Sequence, residues 1–199
     1  SPPWTGEETV IATIGNFDGV HTGHRALLER VAQQAKARKA ISVAMSFYPH
    51  PAVRLGKIAS IPLITSLHQK LVELGKIELR YLCHIHFTKE FSELSAAQFI
   101  DLVLIKHLNV SKVILGPDAC VGHNREGTPE YIQSYMQYNK REAEIVSAVE
   151  SENIKVSSRR IRELIVKGDI RRAGELLGRP FAIDGRVSRG AGRGGKIGV

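Results

Sequence analysis

The sequence predicts an α/β protein built on a doubly wound parallel sheet. Short β-branched or apolar runs alternate along the chain with amphipathic stretches of helical period, an alternation that is typical of parallel strands joined by crossover helices. Glycine, proline and capping residues separate most of these runs, so the elements can be placed in order. With 199 residues, the chain is long enough for one full domain and the beginning of a second.

The first three predicted elements are a strand, a helix and a strand. Residues 9–14 (TVIATI) form a β-branched run that ends at Gly15, as expected of a buried parallel strand. Over residues 24–39 the apolar side chains fall on one helical stripe, which predicts an amphipathic helix. Residues 41–47 (ISVAMSF) predict the second strand, which a pair of prolines ends.

The rest of the chain continues this alternation up to Gly178. Ser95 and Gln98 have the spacing of a capping box, and Thr128 followed by proline has the chemistry of a helix start. The remaining predicted elements are helices at residues 67–74, 95–107, 128 onward, 158–167 and 170–177, and strands at residues 81–85, 112–115, 144–149 and 181–188. Beyond this point the chain is rich in glycine and arginine, so we place a domain boundary near Gly178.

The charge of the chain indicates polyanionic ligands. There are 28 Lys and Arg residues against 20 Asp and Glu, a formal net charge of +8, and most of the excess follows residue 155. Such a balance fits nucleic acid or a phosphate-rich small molecule, and a solvated helix face with a flexible tail also explains a run of charges. Charge alone therefore leaves the ligand open.

Several classes of protein are excluded by the sequence. No run approaches the roughly 18 apolar residues of a membrane span, and the first residues lack the pattern of a signal peptide. Cys83 and Cys120 show no paired spacing, which argues against a disulfide framework or a zinc site and favours a reducing cytoplasm. The chain opens at Ser1 without an initiator methionine, so we expect a trimmed fragment.

The turn after the first strand holds the pattern with the clearest chemistry. It reads GNFDGVHTGH from Gly15 to His24, with His21 and His24 three residues apart around Gly23. Helix N-termini at the carboxyl ends of parallel strands bind phosphate, and Gly23 lets a triphosphate approach the backbone. Both imidazoles can then donate to one phosphate group, whose charge favours their cationic form in the complex.

Other interpretations of this turn are weaker. A single histidine is usually a surface or capping residue, but two at this spacing beside a glycine favour a phosphate site. The turn lacks the Gly-Lys-Ser or Gly-Lys-Thr of a Walker loop and the three glycines of a dinucleotide fingerprint. A zinc site would need a third ligand that the neighbouring sequence does not offer, so we predict no metal ligands.

The string TIGNFDGVHTGH resembles the H-x-G-H nucleotidyltransferase superfamily, and its FAD synthetase branch in particular. The similarity continues through FYPHP at residues 47–51 and FTKEF at residues 87–91, and VSSRRIR at residues 156–162 resembles the second superfamily motif, I-S-S-T-x-x-R. The resemblance implies a Rossmann-like nucleotidyltransferase fold that transfers AMP from ATP to FMN, giving FAD and a pyrophosphate that leaves with Mg²⁺. It also implies a cytoplasmic enzyme whose partners are small molecules, with no membrane or nucleic-acid partner.

The motifs of the family assign roles to individual residues. The resemblance implies catalysis by His21, His24, Ser158 and Arg162, with His24 as the first candidate for stabilising charge in the transition state. It implies ATP binding by Gly15, Asn16, Phe17, Asp18, His21, Gly23, His24, Ser157, Ser158 and Arg162. It implies flavin binding by Phe47, Pro49, Gly116, Asp118, Asn124 and Arg125.

Two departures from the family pattern concern ligand binding. Arg159 stands where the second motif usually has threonine, and Ala119 and Val121 replace both aromatic residues of the flavin-side pattern G-x-D-F-x-F-G-x-x-R-x-G. Loss of these rings predicts weaker binding of FMN. The alternatives are therefore a degenerate homologue, a non-catalytic protein that binds flavin or nucleic acid, or a nucleotidyltransferase for another small phosphate ester.

The C-terminal part of the chain resembles the beginning of another module. LGRPF at residues 177–181 and GRV at residues 185–187 resemble the opening of the riboflavin kinase module in bifunctional members of the family. The resemblance implies an FMN adenylyltransferase domain over residues 1–177 and an incomplete start of a β-barrel kinase module over residues 178–199. Riboflavin kinase activity is not expected from this fragment.

Overall fold

A five-stranded parallel sheet forms the centre of the molecule. The computed structural model describes residue 4 and residues 8–56, 62–151 and 154–186. The strands are β1 (Val10–Ile14), β2 (Ile41–Tyr48), β3 (Tyr81–His86), β4 (Val110–Leu115) and β5 (Glu142–Ile145), and they pair in the order β3-β2-β1-β4-β5. All four pairings are parallel. The predicted α/β class with a parallel sheet is confirmed.

Helices connect the strands, as crossover connections in a parallel sheet require. They are α1 (Thr22–Ala37), α2 (Pro51–Arg54), α3 (Leu67–Leu74), α4 (Lys89–Ser92), α5 (Ala96–Phe99), α6 (Pro129–Tyr138), α7 (Ser158–Val166) and α8 (Ile170–Leu177). A π-helical stretch at Ile100–His107 continues α5, a 3₁₀ turn lies at His123–Arg125, and β6 (Glu150–Ser151) pairs with β7 (Ile154–Lys155) in a separate antiparallel hairpin.

Apolar side chains cover the sheet on both faces. Successive residues of a strand point to opposite faces, and accordingly Ala12 packs with Ile100 and Ile132 while its neighbour Ile11 packs with Leu28 of α1. A third cluster joins α7 to α8. Burial on both faces explains why the central strands are nearly continuous apolar runs.

Helix termini follow the capping signals of the sequence. Ser95 and Gln98 form the predicted capping box, and the hydroxyl of Thr128 accepts a hydrogen bond from the N–H of Tyr131 at 3.3 Å. Asp169 caps the N-terminus of α8, and Gly178 ends that helix in the left-handed conformation at φ 69°. The bounds predicted for α3 and α8 are those observed.

The strand predicted at residues 144–149 is wrong in its second half. β5 begins at Glu142 and ends at Ile145, and the last bond to its neighbour joins Val146 N to Leu115 O at 2.9 Å. Residues 146–149 leave the sheet and line a cavity. The apolar run was therefore a cavity wall, which periodicity cannot distinguish from a buried strand.

The strand predicted at residues 181–188 is absent over residues 181–186, and residues 187 and 188 lie outside the described part. The segment instead lies against α3, where the side-chain amide of Gln69 donates to the carbonyl of Ala182 at 3.1 Å. The helix predicted to reach residue 107 is α-helical only to Phe99 and then π-helical. Within the described residues, no helix combines the length and apolarity needed to cross a membrane.

Candidate active site

A cavity of about 570 Å³ opens at the carboxyl ends of β1 and β4. Strand order reverses at this position, because β2 follows β1 on one side while β4 lies on the other, and such a switch point is the usual ligand crevice of an open α/β sheet. The cavity is lined by the segments that follow each of the five strands and by the N-terminus of α7.

The two histidines of the first turn lie together at the start of α1. Their rings stack with centroids 3.6 Å apart and an interplanar angle of 14°, and His24 meets the edge of Phe17 at 5.3 Å. His21 caps the helix, since its Nδ1 accepts a hydrogen bond from the N–H of His24 at 3.2 Å. Nδ1 is therefore an acceptor, which leaves the proton on Nε2, available for donation.

Both imidazoles are neutral at neutral pH in the protein by itself. Burial lowers the pKa of His21 to about 4; the carboxylate of Asp18 opposes this effect and the charge of Arg179 adds to it. Burial also holds the pKa of His24 well below its ordinary value, with further lowering from His21 and Lys70. The cationic pair expected in the complex would thus depend on the charge of the triphosphate itself.

Asp18 joins the first turn to the N-terminus of α7. Its carboxylate forms an ion pair with Arg162 at 2.8 Å and accepts backbone hydrogen bonds from Ile64 and Thr65 at 3.0 and 3.3 Å. Its carbonyl oxygen accepts a hydrogen bond from the hydroxyl of Ser158 at 2.9 Å. The two sequence motifs, about 140 residues apart in the chain, therefore meet at one buried residue.

The N-terminus of α7 differs in detail from the expected phosphate site. Ser157 is its N-cap and accepts a hydrogen bond from the N–H of Arg160, so this hydroxyl is engaged within the helix. Arg159, in the place of the family threonine, is 88% exposed and pairs with Glu163 on the outer side of the helix. The substituted side chain therefore adds no charge to the cavity.

Three polar atoms around the cavity are buried and without a hydrogen-bond partner among the described residues. They belong to the side chains of Asn16 (Oδ1), His24 (Nδ1) and Arg162 (Nε). Buried polar groups in folded proteins are nearly always paired, and exceptions mark functional sites. Since all three residues line the same cavity, the unpaired atoms are candidates for bonds to a polar ligand.

The loop after β4 forms the opposite wall and is anchored to backbone groups of residues 94–96. His123 donates its N–H to the carbonyl of Leu94 at 2.7 Å, and the carboxylate of Glu126 accepts from the N–H of Ala96 at 2.7 Å. At Gly122, with φ 78°, a Cβ atom would lie 2.4 Å from the backbone nitrogen of Ala96. Only glycine fits there, so the family's glycine preserves the loop.

Ala119 and Val121, the positions without the family's aromatic rings, lie in different surroundings. Val121 is buried and forms a bridge with Gly127, whereas Ala119 is half-buried beside the cavity. An aromatic cluster completes this wall, with ring centroids of neighbouring members 5.6 to 6.1 Å apart; it consists of Phe47, Phe87, Phe91 and Phe99. The cavity thus keeps aromatic surface at a place where a flat ring can pack.

The structure brings nearly all the predicted site residues to one cavity. All ten residues expected to bind ATP line it, and so do five of the six expected to bind flavin; Pro49 is the exception. Further lining residues that had no predicted role include His50, Leu55, Phe87, Phe91, Val149 and Lys155. His50 and the two phenylalanines lie within the FYPHP and FTKEF strings, so their signal was present in the sequence.

The side chains around the cavity do not supply a metal site of their own. Among the described residues, no group of three or more His, Cys, Asp or Glu side chains is placed to hold an ion. Asp18 is engaged by Arg162 and two backbone N–H groups, and Asp118 is paired with Lys155 at 2.6 Å. The available ligands therefore do not fit a Mg²⁺ site built by the protein alone.

Comparison with known proteins agrees with the cavity's chemistry. The chain is 36% identical over 187 residues to the bifunctional riboflavin kinase/FMN adenylyltransferase of Buchnera aphidicola subsp. Schizaphis graminum (strain Sg), covering 94% of this chain and 60% of that protein. The enzyme of the same name from Escherichia coli (strain K12) is 34% identical over 193 residues, covering 96% and 61%. The chain thus spans about 60% of the length of these relatives.

A solved structure and a family model complete the comparison. A crystal structure of a macrolide-efflux protein from Streptococcus pneumoniae matches with a TM-score of 0.84 and 30% identity, covering 96% of this chain and 62% of that one. The model of the FAD synthetase family matches residues 5–160. Because that match covers most of the chain, with the whole first turn and the start of the second motif, the chain belongs to the FAD synthetase family.

Proposed function

We propose that this chain is an FMN adenylyltransferase, which transfers AMP from ATP to FMN and produces FAD and pyrophosphate. The observation that supports this most is the meeting of the histidine pair and the Ser158–Arg162 pair at Asp18, beside one cavity with an aromatic wall. One side of the cavity suits a polyphosphate, and the other suits a planar ring.

In this proposal, ATP lies over the first turn of α1. Its phosphates lie between His21, His24, Ser158 and Arg162, and Gly23 leaves space beside the backbone for them. A Cβ atom at Gly23 would approach the ring of His21 to 3.3 Å, so a larger residue would crowd the cap of the helix. FMN lies on the other side, against the aromatic cluster and the loop after β4.

The reaction needs no general base. The FMN phosphate is already ionised at neutral pH, so one of its oxygens attacks the α-phosphorus of ATP directly. The new oxygen–phosphorus bond forms as the bond from the α-phosphorus to the bridging oxygen of pyrophosphate breaks, with the two oxygens in line. Catalysis then consists of positioning and of charge stabilisation by His24 and the other phosphate-side donors.

Mg²⁺ in this proposal arrives with the nucleotide. The cavity side chains do not assemble a carboxylate set that would hold it, so its ligands would come from the phosphates and water.

We also propose that residues 1–177 form the transferase domain, that residues 178–199 open a kinase module, and that the enzyme works in the cytoplasm.

One assay tests the activity. Purified protein is incubated with ATP, FMN and Mg²⁺, while FAD is followed by chromatography and pyrophosphate by a coupled readout. We expect both products in equal amounts, and none in the absence of FMN. Binding of FMN and ATP without pyrophosphate release would contradict the proposal and favour a non-catalytic binding protein. Product formation with another phosphate ester but not with FMN would favour a different transferase.

A further inference from the structure

The second residue after α8, Arg179, contacts the turn that follows β1. Arg179 follows Gly178, and its guanidinium donates to the carbonyl of Gly19 at 2.8 Å and to the carbonyls of Val20 and Leu177, both at 3.4 Å. Gly19 and Val20 immediately precede His21 in the sequence. A side chain 160 residues away in the chain thus fixes the backbone that leads into the histidine pair.

The guanidinium is itself held by charge. Its Nε lies 3.6 Å from the carboxylate of Glu73, which also binds Lys76 at 2.7 Å and pairs with Arg25 of α1. Side-chain exposure is only 19% for Arg179 and 10% for Glu73. Arg179 therefore has few alternative positions, and its planar fork can hold several carbonyl groups in a fixed geometry.

The turn that Arg179 contacts has an uncommon backbone. Gly19 has φ 84° and Val20 has φ 41°, and a β-branched residue in the left-handed region is a genuine outlier that persists only where its surroundings hold it. Val20 is fully buried. Hydrogen bonds from Arg179 to both carbonyls of this pair are such a restraint, and the strained turn determines where the ring of His21 points.

We propose that Arg179 is a positioning residue for adenylyl transfer, which fixes the Gly19–Val20 turn and so places His21 against the phosphates. This inference rests on the proposed function for its kinetic consequence only. Arg179 acts through His21 and does not itself line the cavity. The segment after α8 would then shape the nucleotide site indirectly, through the Gly19–Val20 turn.

The charge of Arg179 provides a readout that does not depend on activity. The charged and titratable groups that act on His21 are Asp18, which raises its pKa, and Arg179, which lowers it, and the stacked His24 lies beside it. Loss of the guanidinium should therefore raise the pKa of His21. A simple loss of stability would leave that pKa unchanged in the molecules that stay folded.

The test uses three variants of the whole chain: Arg179→Ala, Arg179→Lys and the control Arg171→Ala. Arg171 lies on α8 at 91% exposure and pairs only with Glu175 among the described residues. Histidine side-chain resonances are titrated by NMR, with His21 assigned from its loss in His21→Gln. We expect a higher pKa for His21 in Arg179→Ala and the wild-type pKa in Arg171→Ala. An unchanged His21 titration in Arg179→Ala would overturn the proposal.

The kinetic arm separates position from charge. Arg179→Lys keeps the charge but has no fork to join the three carbonyls, so it should keep the His21 pKa low while kcat falls by about tenfold or more, the scale of a small misplacement of a reacting group. KM for FMN should stay within about twofold of wild type, since the flavin wall does not contact Arg179. Wild-type kcat in Arg179→Lys would overturn the proposal, even where Arg179→Ala fails to fold.

The two proposals fail in different ways. If the wild-type chain makes no FAD, the proposed activity is wrong, and the His21 titration still shows whether the guanidinium of Arg179 lies close enough to act on His21. If the wild-type chain is active and both Arg179 variants match it in kcat and in the His21 titration, only the positioning role is wrong.

Discussion

The side of the cavity that we propose for phosphate (the phosphate side) and the side that we propose for FMN (the flavin side) are held in shape by different interactions. On the phosphate side, side chains bond to one another: Asp18 binds Arg162, and the rings of His21 and His24 stack. On the flavin side, the loop after β4 is held by the N–H of His123 on the carbonyl of Leu94, by the carboxylate of Glu126 on the N–H of Ala96, and by glycines with no room for a side chain.

This difference predicts which departures from the family pattern each side should tolerate. A side chain that takes part in the phosphate-side network has partners on several elements, so its replacement breaks several contacts together. The loop after β4 is anchored at Gly122, His123 and Glu126, so it should keep its course when the side chains at 119 and 121 become smaller. The phosphate side should therefore be sensitive to side-chain chemistry, and the flavin side to backbone geometry.

The largest effect should come from His24→Ala, which tests the chemistry of the phosphate side. We expect kcat for FAD formation to fall by about 10²–10³-fold, as for the loss of a donor that stabilises transition-state charge. KM for FMN should change little. His107→Ala, an exposed histidine on the π-helical stretch, is the control. Turnover of His24→Ala near the wild-type value would remove the assigned role.

Next in size is Gly122→Ala, which tests the backbone of the flavin side. Gly122 has φ 78° and ψ 170°, a region essentially restricted to glycine, and the added methyl would meet the backbone of Ala96. We expect a loss of about 3 kcal/mol in the free energy of unfolding.

The matched control for this variant is Gly168→Ala. Gly168 has the same φ of 78°, but a Cβ atom there meets nothing within 4 Å. It should cost about 1 kcal/mol, from the backbone alone. Equal losses for the two variants in urea denaturation would show that contact with Ala96 does not hold the loop.

Lowering the pH should reduce the free energy of unfolding through protonation of His21, on the phosphate side. His21 has a folded-state pKa of about 4 against 6.5 for an unperturbed histidine, so between these values the unfolded chain binds a proton that the folded chain does not. The contribution of neutral His21 to the free energy of unfolding is therefore complete above pH 6.5 and is lost as the pH falls towards 4. The loss is about 2 kcal/mol at pH 4.5. Urea denaturation at pH 7 and pH 4.5 measures this, and His21→Gln should show a correspondingly smaller pH dependence.

A smaller effect should follow from returning an aromatic ring to the flavin side. Ala119→Phe places a ring at a half-buried position beside the cavity, and we expect about 1 kcal/mol of added binding, or roughly fivefold lower KM for FMN. Val121→Phe is the contrasting variant, because its site is buried against Gly127 and should be overpacked. A raised KM in Ala119→Phe would place the flavin elsewhere in the cavity.

The smallest effect should be that of Lys155→Ala on stability. Its ion pair with Asp118 joins the hairpin to the flavin-side loop, but both side chains are about half exposed or more. Exposed pairs contribute about 0–1 kcal/mol. A loss well above that range in urea denaturation would show that side-chain interactions do hold this wall, and would weaken the contrast between the two sides.

The sequence allowed the sheet, the longer helices and the first turn to be predicted because each has a local signal. Periodicity marks α1 and the central strands, capping residues mark α5, α6 and α8, and both motifs are continuous strings. Elements of two to four residues, such as α2, α4 and the β6–β7 hairpin, are too short for any period to show.

Local sequence signals do not predict contacts between residues that are distant in the chain. The second motif implies a phosphate-binding role for Arg162, but only the fold shows that Asp18 binds it. The contact of Arg179 with Gly19 has no local sequence pattern. The mainly apolar run at residues 146–149 fits a buried strand as well as it fits the wall of a cavity. These three features depend on which distant segments the sheet brings together. No short stretch of the sequence encodes that information.

The ion pair between Asp18 and Arg162 would affect the release of pyrophosphate, the step that ends the proposed reaction. Arg162 is already ordered before any nucleotide arrives, so little side-chain freedom remains to be lost when phosphate binds. When pyrophosphate departs, the carboxylate 2.8 Å away is an internal anion to which the guanidinium returns. After pyrophosphate leaves, Arg162 would still be paired with Asp18, so release would leave no unpaired buried cation. Tight binding of pyrophosphate during the reaction therefore need not make its release slow.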